Sequence, residues 1–116
     1  MTGLQARLRA DLLTARKARD KTATAVLRST LAAIANSEAL PVAETALSVD
    51  GPIAGAAVGV GATEAARRDL SDEEIRGIIT GEQTERLSAA TDLESHGAGE
   101  KAEQLRAEAD LLAAYL

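Results

Sequence analysis

The stretch LSDEEI, residues 70–75, decides the fold class because it carries a full set of signals for the start of a helix. Ser71 and Glu74 have the spacing of a capping box, in which each side chain accepts a hydrogen bond from the other residue's backbone amide. Leu70 and Ile75 have the spacing of a hydrophobic staple across the same helix start. The stretch therefore predicts that a helix begins directly after Ser71.

The sequence downstream continues this helix and then predicts a last one. Apolar residues recur at helical spacing at Ile75, Ile78, Ile79, Ala89, Ala90 and Leu93. Gly97 is a typical helix terminator, so we predict a helix over residues 72–96. A second stripe, Ala102, Leu105, Ala109, Leu112 and Leu116, predicts a final helix over residues 99–116.

The first part of the chain has the same character. Thr2 and Gln5 have capping-box spacing, and Leu4, Leu8, Leu12, Ala15 and Ala18 form an apolar stripe, which together predict a helix over residues 2–19. Asp20 can cap a second helix over residues 21–39, with the stripe Ala23, Val26, Leu27, Thr30, Leu31 and Ile34. Leu40–Pro41 is expected to end that helix, because proline lacks the amide that the helix needs.

These patterns predict one all-α domain over residues 1–116. The chain has 116 residues, of which 46% are hydrophobic but only 1% aromatic, so its core must consist of Leu, Ile, Val and Ala. Short connections favour antiparallel neighbours. We therefore predict an antiparallel bundle of about four helices. A long Gly/Ala-rich connection, residues 41–69, separates the second predicted helix from the third.

The glycine-rich segment 51–61 raises the question of nucleotide binding. A P-loop needs Lys followed by Ser or Thr after its last glycine, but Ala62, Thr63 and Glu64 follow Gly61. A dinucleotide fingerprint needs a third glycine where Glu64 stands, and a preceding buried strand. We therefore expect no ATP or NAD binding, and interpret the segment as a connection lying over apolar surface.

Catalytic and metal-ligating residue types are sparse. The chain has no Cys and one His, His96, which stands at a predicted helix end where a surface cap is the simpler interpretation. The acidic residues 72–74 are explained by the helix start. We predict no catalytic residue, cofactor site or metal site. Neither a signal peptide nor a membrane-spanning apolar run is present, so we expect a cytoplasmic protein with no membrane contact.

Charge is unevenly distributed along the chain. Residues 1–30 carry seven basic and two acidic side chains, whereas residues 62–116 carry six basic and thirteen acidic ones. Either the oppositely charged helices pack beside each other, or the basic end binds nucleic acid. The candidate basic face consists of Arg7, Arg9, Arg16, Lys17 and Lys21. Nucleic-acid binding is favoured if this face is contiguous, and disfavoured if the acidic fourth helix covers it.

Glu82 and Arg86 interrupt the apolar stripe of the third predicted helix. They are four residues apart, so they can form an ion pair along the helix. If the face is buried, the pair needs further hydrogen-bond partners, and Arg28 or Asn36 of the second helix could provide them. Two interpretations stay open: a structural polar network or an interaction site.

Four segments in series carry a family resemblance: KARDK at residues 17–21, VLRSTLAAIAN at 26–36, LSDEEI at 70–75 and EADLLAAYL at 108–116. In order and spacing they resemble the GatB/YqeY-like family. The resemblance implies an all-helical domain related to a region near the C-terminus of the B subunit of tRNA-dependent amidotransferase. That enzyme is a carbon–nitrogen ligase that uses glutamine as amido donor.

The resemblance implies partners but no active site. In the amidotransferase, catalysis belongs to other domains and subunits, so Arg28, Asn36, Glu82 and Arg86 match only as shared motif positions without an assigned role. The family pattern continues past Leu116 into a tail domain related to the part that meets tRNA, and we expect that tail to be absent here. The connection over residues 41–61 is also longer than the family's usual link.

The predicted function is a non-catalytic helical binding module whose partners are tRNA or amidotransferase subunits. One alternative is a protein-interaction or oligomerisation domain unrelated to tRNA, and another is an accessory protein that modulates an amidotransferase.

Overall fold

The structure is a computed structural model that describes the backbone of residues 3–48 and 69–116, and the side chains of residues 3–39 and 69–116. These residues form four helices: α1, Gly3–Ala18; α2, Lys21–Ser48; α3, Asp72–Ser95; and α4, Gly99–Ala113. Neither described range contains a strand. The predicted all-α fold class is confirmed.

The helices pack as two antiparallel hairpins, α1 with α2 and α3 with α4. Only two residues connect α1 to α2, and three connect α3 to α4. Such short connections favour antiparallel packing of the two helices that they join. The contact between α3 and α4 is the most extensive, and α2 packs against both of these helices. The predicted antiparallel bundle of four helices is therefore observed in the described residues.

The start of α3 has the predicted geometry. The Ser71 hydroxyl accepts from the Glu74 amide at 3.1 Å, and the Glu74 carboxylate accepts from the Ser71 amide at 2.9 Å. Leu70 and Ile75 are both buried, as expected for a hydrophobic staple. The predicted capping box is confirmed, whereas the one proposed for Thr2 and Gln5 rests on Thr2, which lies outside the described residues.

The helix α3 ends at a glycine in the left-handed conformation. The Ala98 amide donates to the Leu93 carbonyl at 2.8 Å, and the Gly97 amide donates to the Glu94 carbonyl at 3.1 Å. Gly97 has a φ of 84°. This pattern is a Schellman motif, which satisfies carbonyl groups that the last helical turn would otherwise leave free.

The helix α1 ends with the same motif, but without glycine. The Asp20 amide donates to the Ala15 carbonyl at 2.9 Å, and the Arg19 amide donates to the Arg16 carbonyl at 3.1 Å. Arg19 has a φ of 58°. The Asp20 carboxylate then accepts from the Ala23 amide at 3.0 Å, which confirms its predicted role as cap of α2.

The core contains aliphatic side chains from all four helices. The most deeply buried are Leu8, Val26, Leu27, Ile34, Ile75, Ile79 and Leu112. Ala90 on α3 and Ala102 and Ala109 on α4 are also buried. Because alanine is small, these positions allow the α3 and α4 axes to approach closely, consistent with the extensive contact between them.

The helix α2 is longer than predicted. It does not end before Pro41 but continues to Ser48. One proline removes one backbone hydrogen bond, and the residues after it, VAETALS, are rich in the strong helix formers Ala, Glu and Leu. The predicted helix end at Leu40–Pro41 is therefore wrong, and the first eight residues of the predicted connection belong to α2. The glycine-rich segment 51–61 lies outside the described residues.

The helix α4 is shorter than predicted and ends at Ala113 rather than at Leu116. The predicted stripe placed Leu116 on the buried face, but Leu116 is 50% exposed and Tyr115 is buried instead. The last three residues are not α-helical, so helical spacing does not predict which of their side chains is buried.

Candidate functional site

Glu82 and Arg86 form the predicted ion pair on α3. The Arg86 Nη1 atom lies 3.0 Å from Glu82 Oε1, and it also donates to the Glu82 carbonyl oxygen at 3.1 Å. The side chains of Arg86 and Glu82 are only 13% and 17% exposed. The pair is therefore largely withdrawn from solvent, as its place within the apolar stripe suggested.

The helix α4 supplies a second carboxylate that the sequence pattern did not indicate. Arg86 Nε lies 3.0 Å from Oε1 of Glu108, whose side chain is 19% exposed. Arg86 and Glu108 are each eleven residues from Gly97, and an antiparallel hairpin turning at Gly97 brings such positions face to face. Counting outward from the predicted turn could therefore have identified Glu108.

The network continues to α2. The Ser29 hydroxyl donates to Glu82 Oε1 at 3.0 Å. Gln104 Nε2 donates to Thr22 Oγ1 and to Glu108 Oε2, both at 3.2 Å. We call this set the polar seam: Thr22, Ser29, Glu82, Arg86, Gln104 and Glu108. It links α2 of the first hairpin to both helices of the second.

Arg28 and Asn36, the partners suggested for this pair, do not belong to the polar seam. Both side chains are exposed, and neither bonds to Glu82 or Arg86. Each residue turns the helix by about 100°, so Arg28 and Ser29 lie on different sides of α2. Asn36 lies roughly 10 Å further along the helix than Ser29. The seam's partner from α2 is therefore a hydroxyl group next to Arg28 in the sequence.

The polar seam fits the structural interpretation of the two that the sequence left open. The Arg86 guanidinium bonds to both Glu82 and Glu108. No buried side-chain nitrogen or oxygen in the described ranges lacks a hydrogen-bond partner. The hydrogen bonds of the seam join α2, α3 and α4 to one another, as expected of a network that holds helices together.

Arg7 is engaged at the C-terminal end of the chain. Its Nη2 atom donates to the Ala114 carbonyl at 3.2 Å, and its guanidinium lies 4.6 Å from the centre of the Tyr115 ring. The Tyr115 hydroxyl donates to the Asp11 carboxylate. Burial, together with this hydrogen bond to a carboxylate, raises the pKa of Tyr115 well above its ordinary value. We call these four residues the Tyr115 clasp.

The remaining members of the candidate basic face are uncovered. Arg9, Arg16, Lys17 and Lys21 are exposed, and the acidic helix α4 makes no helix contact with α1 in the described residues. Helical geometry puts Arg9 and Arg16 on the same side of α1 and Arg7 on nearly the opposite side. The predicted face of five residues is therefore divided, with Arg7 opposite Arg9 and Arg16.

Arg16 and Lys21 of this face line an open pocket at the connection between α1 and α2, together with two further cations, Arg19 and Arg28. The pocket has a volume of about 360 Å³. Its lining residues are Arg16, Arg19, Lys21, Thr24, Ala25 and Arg28, and we call it the corner pocket. Spacing along one helix does not indicate Arg19 and Arg28 as members of the basic face, because the hairpin brings them into the same pocket lining as Arg16.

His96 has the surroundings of a surface cap. Its Nδ1 atom lies 2.8 Å from the Asp92 carbonyl oxygen and the side chain is exposed. No group of three or more His, Cys, Asp or Glu side chains in residues 3–39 and 69–116 is arranged to hold a metal ion.

Comparisons of the chain with protein-family models, with curated proteins and with solved structures found no match. In the described part of the chain, no helix combines the length and the apolar character needed to cross a membrane. The exposed basic residues of the first hairpin and the sequence motifs are thus the basis for a functional proposal.

Proposed function

We propose that this protein is a non-catalytic helical binding module of the GatB/YqeY-like type, which binds tRNA and acts with a tRNA-dependent amidotransferase in the cytoplasm. The order and spacing of the four sequence motifs support the family assignment. Under this proposal the carbon–nitrogen ligase reaction, with glutamine as amido donor, takes place on the partner enzyme. The chain itself contributes binding.

The observation that carries the proposal is the uncovered basic surface of the first hairpin. Arg9, Arg16, Lys17 and Lys21 are exposed, and Arg28 adds a further exposed cation from α2. Among the described residues none of them pairs with a carboxylate. Clustered cations without counter-charges attract the phosphates of a nucleic acid and release their counterions on binding.

The acidic charge of the second hairpin, α3 and α4, favours approach of a tRNA from the side of the first hairpin. Residues 62–116 carry thirteen acidic side chains against six basic ones, and exposed carboxylates such as Glu85 and Glu103 lie on α3 and α4. Like charges repel RNA from this side of the molecule. A tRNA would therefore approach α1 and the start of α2.

Binding of a fluorescent tRNA, measured by anisotropy at several salt concentrations, tests the proposal. We expect affinity that falls as salt rises. Replacing Arg9 and Lys17 with Gln should weaken binding and reduce the salt slope by about one for each phosphate that the variant no longer neutralises. Replacing Arg76 and Lys101 with Gln on α3 and α4 removes the same charge and should leave the slope unchanged. Equal weakening in both variants, or no binding at low salt, would contradict the proposal.

A second measurement tests the partner enzyme. Purified amidotransferase subunits should co-elute with the chain in gel filtration, and added tRNA should strengthen the association. If the chain associates with neither tRNA nor the subunits, the alternative of an interaction domain unrelated to tRNA is favoured.

A further inference from the structure

The corner pocket combines an open concave surface with one sign of charge. It has a volume of about 360 Å³ and is open to solvent. Four of its lining residues are cations: Arg16, Arg19, Lys21 and Arg28. The other two lining residues, Thr24 and Ala25, add a hydroxyl group and a small apolar side chain.

Among the residues that the structure describes, no acidic side chain lines the corner pocket. The neighbouring carboxylate of Asp20 is turned to the start of α2, where it accepts from the Ala23 amide at 3.0 Å. None of the four cations forms an ion pair within the described residues. Like charges gathered without a counter-ion repel one another, so an anion in the pocket would relieve that repulsion.

Arg19 gives a second, independent indication. It occupies the left-handed position of the α1 Schellman motif, with a φ of 58°, where glycine is the ordinary residue and a larger side chain costs stability. The equivalent position at the end of α3 holds Gly97. Arg19 therefore accepts a backbone strain that its counterpart avoids, and strain of this kind suggests a functional role for the side chain.

We propose that the corner pocket binds a phosphate group. Guanidinium groups donate paired N–H bonds that match the oxygens of a phosphate, and three of the four cations are arginines. Inorganic phosphate or a phosphate monoester also carries more charge and more acceptor oxygens than one carboxylate, which suits a site with four cations and a hydroxyl. Its source is either the backbone of an RNA, which rests on the proposed function, or a small phosphorylated ligand.

Inorganic phosphate is the first probe. We expect phosphate, titrated against chloride at equal ionic strength, to shift the amide resonances of Thr24 and Ala25 in a two-dimensional NMR spectrum. Arg28→Gln should weaken this binding about fivefold, the upper end of the effect of removing one exposed charge. Arg76→Gln removes an exposed arginine from α3 and should leave phosphate binding unchanged. Absence of saturable shifts, or equal weakening in the two variants, would overturn the proposal.

Arg19→Gly separates a ligand-binding role from a structural one. The glycine relieves the left-handed strain and removes one cation, so we expect the thermal midpoint to rise while phosphate affinity falls. A variant that is more stable and binds phosphate as well as the original chain would show that Arg19 is not part of the site.

A tRNA-binding measurement on the same variants identifies the source of the phosphate. If tRNA binds and Arg28→Gln weakens it more than Arg76→Gln does, the pocket holds an RNA phosphate. If phosphate shifts Thr24 and Ala25 but tRNA does not bind, the site is supported with a small phosphorylated ligand, and the proposed function fails. If tRNA binds while phosphate and Arg28→Gln have no effect, the proposed function stands and the phosphate site is rejected.

Discussion

At the scale of single residues, the Arg86 guanidinium forms ion pairs with two carboxylates. Glu82 and Glu108 both lie 3.0 Å from its guanidinium, and all three side chains are less than a fifth exposed. The cost of burying a carboxylate is offset here by the nearby cation and by hydrogen bonds from Ser29 and Gln104. Removing the cation would leave two partly buried negative charges facing each other.

We therefore expect Arg86→Ala to lower the free energy of unfolding by about 3 kcal/mol, the lower end of the range for breaking a buried ion pair. Domains of this size have roughly 5–10 kcal/mol in total, so the variant should unfold at a much lower denaturant concentration. Urea unfolding followed by circular dichroism gives the difference.

Arg106 provides the matched control, because it also faces two carboxylates, Glu94 and Glu103, but at the surface. Its hydrogen bond with Glu94 raises its pKa. Solvent screens such pairs, so Arg106→Ala should have a much smaller effect than Arg86→Ala. Similar losses of stability in both variants would show that burial does not determine how much the polar seam contributes to stability.

Replacing the buried ion pairs with apolar residues should restore stability only if Glu108 is replaced together with Glu82 and Arg86. Replacing Glu82 and Arg86 alone would leave Glu108 unpaired.

Arg19 and Gly97 occupy the same position at the ends of α1 and α3, but Arg19 has a large side chain and Gly97 has none. Both occupy the left-handed position of a Schellman motif, with φ values of 58° and 84°. We expect Arg19→Gly to raise the free energy of unfolding by about 1 kcal/mol, and Gly97→Ala to lower it by a similar amount. No heavy atom would crowd a Cβ at Gly97, so its replacement reports backbone strain alone. Thermal unfolding of both variants checks the prediction, and changes of the same sign would refute it.

At the scale of the helix, the start of α3 also fixes the start of α1. The Asp72 carboxylate, in the first turn of α3, accepts from the backbone amide of Leu4 in the first turn of α1 at 3.3 Å. The sequence explained the acidic residues 72–74 by the α3 helix start alone. The contact shows that one of them also binds a free amide of another helix, which depends on where the two hairpins meet.

Ser71→Ala tests the α3 helix start. The change removes the acceptor of the Glu74 amide, and we expect stability to fall by about 1 kcal/mol with the fold retained. Ser71→Asp should retain most of the stability, because a carboxylate accepts the same hydrogen bond and favours the positive end of the helix dipole. The midpoint of thermal unfolding measures both effects. An unchanged midpoint for Ser71→Ala would mean that the capping box contributes nothing to stability.

At the scale of the whole molecule, the Tyr115 clasp joins the first helix to the end of the chain. Arg7 stacks on the Tyr115 ring and donates to the Ala114 carbonyl, while Asp11 accepts from the Tyr115 hydroxyl. The helices α1 and α4 otherwise make no helix contact with each other in the described residues. The clasp thus connects α1 to the chain just after α4.

The clasp predicts a loss of stability at high pH. The pKa of Tyr115 is raised in the folded protein, mainly by burial, above the value of about 10 in the unfolded chain. The contribution is complete below that unfolded value, and it is lost as pH rises, because the unfolded state ionises first. We expect the stability of the original chain to decrease from about pH 10 upward more steeply than that of Tyr115→Phe. Urea unfolding at a series of pH values gives the two curves.

The lone tyrosine makes an independent check possible. Because the chain has one Tyr and no Trp, its ultraviolet absorbance during a pH titration reports Tyr115 alone. Ionisation of the folded protein should begin above the pH at which the urea-unfolded protein ionises. Coincident titrations would contradict the assigned burial and hydrogen bond.

Local signals were sufficient wherever the deciding interactions lie within a few residues of each other. The capping box of Ser71 and Glu74, the cap at Asp20 and the turn at Gly97 all follow from spacing along the chain. The end of α2 did not, because Pro41 weighs against helix while the residues after it favour helix. Competing local preferences cannot be ranked from a pattern alone.

The sequence by itself determined the all-α class, the hairpin turns, the capping of α2 and α3, and the pairing of Glu82 with Arg86, because each depends on backbone hydrogen bonds or side chains within one or two turns. Only the tertiary structure decided that Glu108 and Ser29 complete the polar seam and that Arg7 contacts Tyr115. It also decided that Arg16, Arg19, Lys21 and Arg28 line one pocket. These contacts join different helices, and the rotation of one packed helix against another follows from the fit of the whole core.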